Sequence, residues 1–227
     1  MDTEAELTER DHSSDPDEGT AEGSRSARSS WRGAAFAAGL GTVLLLLLST
    51  FVVQPFLIPS RSMEPSLQVG DRVLVNKLAY RFGAEPQRGD VVVFDGTGSF
   101  VQGEPTDADF VKRVVGVGGD RVVCCDKQGR VHVNGVAVDE AYLFPGDAPS
   151  QVPFDIVVPL ETLWVLGDHR SQSRDSRDHL GEPGGGMVPV DQVIGRADWI
   201  GWPLSRWTSL DRPGAFSGVR PLGGAHG

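Results

Sequence analysis

The sequence predicts a mainly β fold: an extracytoplasmic domain of small antiparallel sheets or a distorted barrel, preceded by one transmembrane helix. Three observations lead there. Beyond residue 57 the apolar runs are short and β-branched, and long helical periodicity is missing. Turn pairs such as Gly-Asp and Asn-Gly separate those runs. Ahead of them, Ala34 to Val53 is a twenty-residue stretch without a charge, which suits a helix crossing roughly 30 Å of hydrocarbon.

Taken in chain order, the first segment is residues 1–33. Residues 1–22 carry nine acidic side chains against Arg10, with little that is apolar, so they predict a disordered cytoplasmic tail. Residues 34–57 are expected to form the anchor helix. A cleaved secretory signal peptide would have a shorter apolar core and small residues at its end; this one ends in Gln54-Pro55 and Pro59. Arg25, Arg28 and Arg32 precede the span, whereas Arg61 and Glu64 lie just beyond it. Positive-inside bias therefore puts the N-terminus in the cytoplasm and residues 58–227 outside.

Within residues 58–208 the expected strands are Val73–Val75, Val91–Phe94, Phe110–Val115, Arg121–Cys124, Val131–Val133, Ile156–Val158, Leu163–Leu166 and Val193–Ile194. Gly70-Asp71, Gly89-Asp90, Gly118-Gly119-Asp120, Asn134-Gly135 and Gly167-Asp168 mark turns between them, and Glu182–Gly186 reads as a mobile glycine-rich loop. Trp199, Trp202 and Trp207 fit a core, the commoner place for aromatics, with an interfacial role beside a bilayer as the alternative. Residues 209–227 read as a flexible Gly/Pro-rich tail. Cys124 and Cys125 are adjacent and cannot staple a loop; alternation along a strand predicts two reduced thiols on opposite faces, with a vicinal disulfide as the other possibility.

Composition also bounds the partners. The net charge of −10 leaves no basic stripe that could displace counterions from phosphates, so no nucleic-acid partner is expected. Oligomeric state is not legible.

Three polar patches carry chemistry. Ile58-Pro59-Ser60-Arg61-Ser62-Met63-Glu64-Pro65-Ser66-Leu67 follows the span directly, and Ser62 sits in it between two turn prolines. A serine becomes a nucleophile when a nearby base takes its proton. No GxSxG elbow is present. Among 21 basic side chains only Lys77, Lys112 and Lys127 are lysines. Lysine, unlike arginine, can lose its proton when apolar neighbours desolvate it. Phe110 and Val114 share the strand face of Lys112, and Val73 and Val75 that of Lys77, so periodicity nominates two bases without choosing. The third patch, Gly167 to His179, holds Asp168, His169, Asp175, Asp178 and His179 among three arginines. Its spacing admits a metal site or part of a Ser-His-Asp triad, but interleaved carboxylates and arginines more often neutralise one another.

Together these patches resemble type I signal peptidase, the membrane-bound Ser/Lys protease that removes signal peptides from secreted preproteins. The resemblance covers most of residues 55–202 and rests on SMEPSL, GDRVLVNK at Gly70–Lys77, DFVKRVVGVGGD at Asp109–Asp120 and GDHRSQSRDSR at Gly167–Arg177. It implies Ser62 as nucleophile and Lys112 as general base, leaving Lys77 within the segment after the nucleophile. It implies an oxyanion hole from the Ser62 N–H and the Ser60 hydroxyl, Ser173 as the residue orienting the lysine, and Asp168, Asp175 and Arg177 as structural support. No metal and no cofactor are implied; the partners are signal-peptide-bearing preproteins and the lipid bilayer. The family's preference for small residues at the first and third positions before the cut comes with the resemblance. The sequence departs from the family pattern at Ser66 for threonine, Gly118 for proline, and His169, Ser171 and Gln172 for Asn, Asp and Asn.

Two rival readings remain. A non-catalytic, membrane-anchored β-module binding partners in the secretory apparatus explains the anchor and strands but leaves Ser62, Lys112 and Ser173 as coincidences in the right order. A hydrolase built on His169 and His179 leaves SMEPSL without a purpose.

Overall fold

The computed structural model describes residues 23–101 and 108–222, with the side chains of 23–30 and 48–50 outside that set. The acidic segment 1–22 lies outside the described residues. The described elements run α1 (Gly23–Phe51), β1 (Val53–Leu57), β2 (Arg72–Asn76), β3 (Val91–Asp95), β4 (Asp109–Val117), β5 (Arg121–Cys124), β6 (His132–Val133), β7 (Val136–Ala137), β8 (Phe154–Val157), β9 (Thr162–Leu166), β10 (Val188–Pro189), β11 (Val193–Trp202) and β12 (Thr208–Ser209).

Helix α1 differs from the expected anchor at both ends. It begins at Gly23, taking in part of the segment expected to be disordered, and stops at Phe51 rather than 57. Pro55 explains the second difference, because it lacks an N–H and biases the preceding residue towards extended backbone. Residues 53–57 instead become β1 and pair with β2, Val53 opposite Asn76 and Leu57 opposite Arg72. Among the described residues no helix is long and apolar enough to cross a membrane.

From Leu47 onward the chain forms one compact unit of two antiparallel sheets. The larger has the order β1-β2-β11-β3-β4-β9-β10, with β12 on β11; the smaller has the order β7-β6-β5-β8. Strand β11 is much longer than the expected Val193–Ile194. Register shifts between Val193 and Gly195, Ala197 and Trp199, and Ile200 and Trp202 let one strand pair with β3 at its start and β2 further on. The β6–β7 hairpin turns on Asn134-Gly135, both at positive φ (53° and 79°), the geometry that a two-residue type I′ loop requires.

Three apolar clusters hold the unit. Ile58, Met63, Leu67, Val73, Val75 and Val91 pack under the segment that carries Ser62. Val92, Phe94, Val114 and Val165 fill the centre of the large sheet. Val122, Val133, Phe154, Trp164 and Leu166 join the small sheet to the large one. Phe216 and Val219 belong to that last cluster, each 7% exposed. Residues 209–222 are therefore packed against the domain, not a flexible tail: the glycines and prolines make turns that deliver two apolar anchors.

Other expectations also change. Trp199, Trp202 and Trp207 are 43%, 53% and 54% exposed; for the first two this is because β11 turns Ala197 and Ile200 inward instead. Cys124 and Cys125 are joined by a disulfide. Strand β5 ends at Cys124, so the alternation that would separate two thiols does not extend to Cys125. The Glu182–Gly186 loop is organised by main-chain bonds, Glu182 N–H to His179 O and Gly185 N–H to Glu182 O.

Candidate active site

Ser62 lies in the turn between β1 and β2. Met63 and Leu67 on either side of Glu64-Pro65-Ser66 are fully buried, each worth about 1.5–3 kcal/mol of transfer free energy. The Leu67 N–H donates to Met63 O and the Gly70 N–H to Ile58 O, which tie the turn to the β1–β2 ladder. Burial of its flanks thus presents Ser62 at a fixed place.

Lys112 comes from the middle of β4, opposite Val92 on β3. Its Nζ donates to Ser62 Oγ at 3.0 Å and to the Val111 carbonyl at 3.0 Å, and lies 5.8 Å from the Phe110 ring centroid. Both side chains are buried, Ser62 at 7% exposure and Lys112 at 4%. Burial pulls the Lys112 amine down from its ordinary 10.5 to about 8, against an opposing pull from Asp175 and Asp168. Ser60 Oγ is 3.3 Å from Ser62 Oγ. Lys77, the other candidate, follows β2 and is not a partner of the Ser62 hydroxyl.

The third patch follows β9, the neighbour of β4, and closes over this pair. The His169 N–H donates to Ser62 O at 3.1 Å. Asp175 accepts from both Nε and Nη2 of Arg177, each at 2.8 Å, and from the Gly167 N–H at 3.0 Å. Burial pushes the Asp175 carboxyl up, but Arg177 and that N–H outweigh it and hold it below the usual range. Ser173 is buried with its Oγ packed against Gly167, close enough to Asp175 to help hold that carboxylate ionised. The amine's hydrogen bonds go to Ser62 and Val111 rather than to Ser173. Gly167 is where the chains crowd: a Cβ there would fall 2.2 Å from Ser173 Oγ and 2.4 Å from Ser62 O, so only glycine fits.

Asp168 turns away from Lys112. It takes a two-pronged ion pair from Arg113 (2.8 and 2.6 Å) and a hydrogen bond from Ser66 Oγ at 2.5 Å. Arg113 also donates to Gly89 O at 2.9 Å. Ser66 thus keeps a role its hydroxyl alone can fill. Arg113 was missed by reading residues singly; the available signal was an arginine directly after a buried lysine, which alternation sends to the other face. Glu140, which pairs with Arg170, was missed as well. The two histidines have separate surroundings. His169 stacks on Phe144, with Nδ1 3.6 Å from Glu64, whereas His179 stacks on Phe100 and bonds Glu182.

A buried hydroxyl bonded to a buried amine that loses its proton near pH 8 can serve as a nucleophile and its base, the equipment of a serine peptidase in which lysine replaces histidine. Comparison with known proteins specifies the group. The profile of the family described as "Signal peptidase, peptidase S26" matches residues 31–202. Signal peptidase I of Mycobacterium tuberculosis is 40% identical over 223 residues, covering 79% of this chain and 75% of that protein. Signal peptidase I of Leptolyngbya laminosa is 39% identical over 183 residues, covering 78% and 83%. Signal peptidase IB of Staphylococcus aureus is 34% identical over 181 residues, covering 73% and 86%. The chain belongs to the signal peptidase family, peptidase S26, and is a serine endopeptidase.

Proposed function

We propose that the chain removes N-terminal signal peptides from secreted preproteins by a Ser-Lys dyad while anchored in a membrane through the uncharged stretch from Ala34 to Val53. The observation that carries the mechanism is the 3.0 Å contact between two buried groups, Lys112 Nζ and Ser62 Oγ. In its neutral form the amine takes the Ser62 proton as Oγ attacks the scissile carbonyl. The amine then gives that proton to the leaving nitrogen, and water, activated by the same amine, releases the acyl group. The oxyanion is held by the Ser62 N–H, which has no acceptor among the described residues, and by the Ser60 hydroxyl. Asp175 and Arg177 support the loop, as does Asp168, and Ser173 packs within it against Gly167.

Anchoring is supported by the sequence, uncharged from Ala34 to Val53. It is supported too by the described side chains of α1, where Phe36, Leu40 and Leu44 to Leu47 are all exposed. Such a surface needs an apolar medium. With Arg25, Arg28 and Arg32 on the cytoplasmic side, the catalytic unit lies outside, where a signal peptide's cleavage site leaves the bilayer. Holding both partners at one membrane raises their effective concentration.

The test uses the full-length protein in detergent or vesicles, free of host signal peptidase, with a model preprotein. Ser62→Ala and Lys112→Arg should each abolish processing with the fold intact, since arginine keeps the charge but does not deprotonate in this range. The wild-type rate should rise with pH along a limb near pH 8, and that limb should survive His169→Asn. Activity retained in either dyad variant, or loss of the limb in His169→Asn, would refute the mechanism.

A further inference from the structure

The connection from β7 to β8, residues 138–153, pairs with neither sheet, yet it holds buried charge. Glu140 and Arg170 are both buried and form an ion pair in which the guanidinium reaches both carboxylate oxygens. The same guanidinium donates to Pro149 O at 2.5 Å and, through Nε, to Gly167 O at 2.9 Å. The Tyr142 hydroxyl donates to Glu140 at 2.7 Å, while its ring lies 4.5 Å from the Arg113 guanidinium carbon. Further along, the Phe144 N–H donates to Asp168 O at 3.0 Å and its ring stacks on His169 at 3.9 Å.

Glu140, Pro149 and Phe144 thus hold one short piece of chain, Gly167 to Arg170, and Tyr142 in turn steadies Glu140. The other side of that piece touches the nucleophile: the His169 N–H holds Ser62 O, and Gly167 leaves no room between Ser62 O and Ser173. A buried ion pair is a poor way to add stability, because desolvation offsets most of its Coulomb energy. What the guanidinium fork offers instead is direction, since it fixes the Gly167 carbonyl and the Glu140 carboxylate relative to each other.

We infer that Glu140, acting through Arg170, is a positioning residue for hydrolysis, fixing the Gly167–Arg170 segment against Ser62 and over Lys112. The inference rests on the Ser62–Lys112 reading above. Without the grip the segment lifts, Ser62 loses its main-chain support, and water reaches the amine. Two consequences follow together: slower turnover, and a lysine restored towards its ordinary proton affinity as desolvation is relieved, in the direction in which Asp175 and Asp168 already pull it.

The experiment compares wild type, Glu140→Gln and Tyr142→Phe as full-length proteins on a model preprotein, across pH. Glu140→Gln should lower kcat about 10- to 100-fold, as expected for a small misplacement of reacting groups, with KM little changed. Its alkaline limb should move up by about half a pH unit or more as the amine is rehydrated. Tyr142→Phe removes only the hydroxyl that steadies Glu140 and should move both quantities the same way by less. A purely structural Glu140 would lower the unfolding temperature and leave the limb where it is. If the wild type has no limb, the dyad reading fails and takes this inference with it. If the wild type has the limb and both variants leave it and kcat unmoved, the dyad stands and this inference is wrong. Should Glu140→Gln not fold, Tyr142→Phe decides alone by the same criterion.

Discussion

Lys112 and Arg113 are consecutive residues on β4, both buried, and they serve opposite faces of the strand. Lys112 meets Ser62 on one side, and Arg113 grips Asp168 on the other. The arrangement lets two cations share one strand without sharing an environment. Arg113 is fully compensated, and the pull of Asp168 outweighs burial to raise its proton affinity further. Lys112 has no carboxylate partner, so desolvation wins and its amine is lowered to about 8.

That lowering is also a statement about stability. Unfolded, the amine keeps its ordinary 10.5; folded, it titrates near 8, so between those values the unfolded chain binds more protons. Stability should therefore rise with pH from about 8 to about 10.5 and, read the other way, be lost as pH falls from about 10.5 to about 8, with no further loss from this group below that. At neutral pH the whole penalty is present, on the order of 3 kcal/mol. Lys112→Met should be inactive yet more stable than wild type at pH 7, by roughly 1–3 kcal/mol once altered packing is allowed for. Urea unfolding at pH 7 and at the alkaline end measures the difference; no stabilisation at pH 7 would mean the amine is not desolvated.

Gly167→Ala tests how tightly the loop is seated. The added methyl would sit 2.2 Å from Ser173 Oγ and 2.4 Å from Ser62 O, and the second contact is main chain, which cannot swing aside. Processing should fall by about 100-fold, the scale of a misplacement near 1 Å. Far-ultraviolet circular dichroism should be unchanged. Activity within about threefold of wild type would show that the Ser62 turn tolerates displacement, because a shift of that size should cost far more.

Parts of this were legible from residue types and parts were not. The strands β2, β3, β4, β5 and β9 follow directly from β-branched runs between turn residues. Strand β1 was hidden because its apolar residues continue those of α1, leaving only Pro55 to mark the change. Strand β11 was hidden because Gly195, Arg196, Asp198 and Gly201 break the alternation where the ladder shifts. At the site, Ser62 and Lys112 could each be nominated, but their meeting across 50 residues of sequence is a product of sheet order. Glu140 gave no local sign, since its partner lies 30 residues on and no motif surrounds Glu140 itself, although Arg170 stands within GDHRSQSRDSR.

The chain beyond β12 makes the last prediction. Read by composition, residues 209–222 should be dispensable. In the structure Phe216 stacks on Tyr142 with ring centroids 6.4 Å apart and joins Val219 in the cluster beneath the small sheet. Main-chain oxygens of the same segment accept from the two sheets' connecting turns: Arg88 donates to Val219 O at 3.4 Å and Asn134 to Arg220 O at 2.8 Å. Arg212 pairs with Asp90. The segment thus spans from the turn before β3 to the β6–β7 hairpin, and its removal would uncover Trp164's cluster. Phe216→Ala should cost about 3–4 kcal/mol, as a large-to-small change at a buried aromatic does. For a unit of this size that is roughly 6–16 °C in unfolding temperature. Leu222→Ala, at a position half exposed, should change it by under about 1 kcal/mol. Since Phe216 touches Tyr142, activity at a temperature where Phe216→Ala remains folded should fall only modestly. Equal unfolding temperatures for Phe216→Ala and Leu222→Ala would show that the segment is a tail after all.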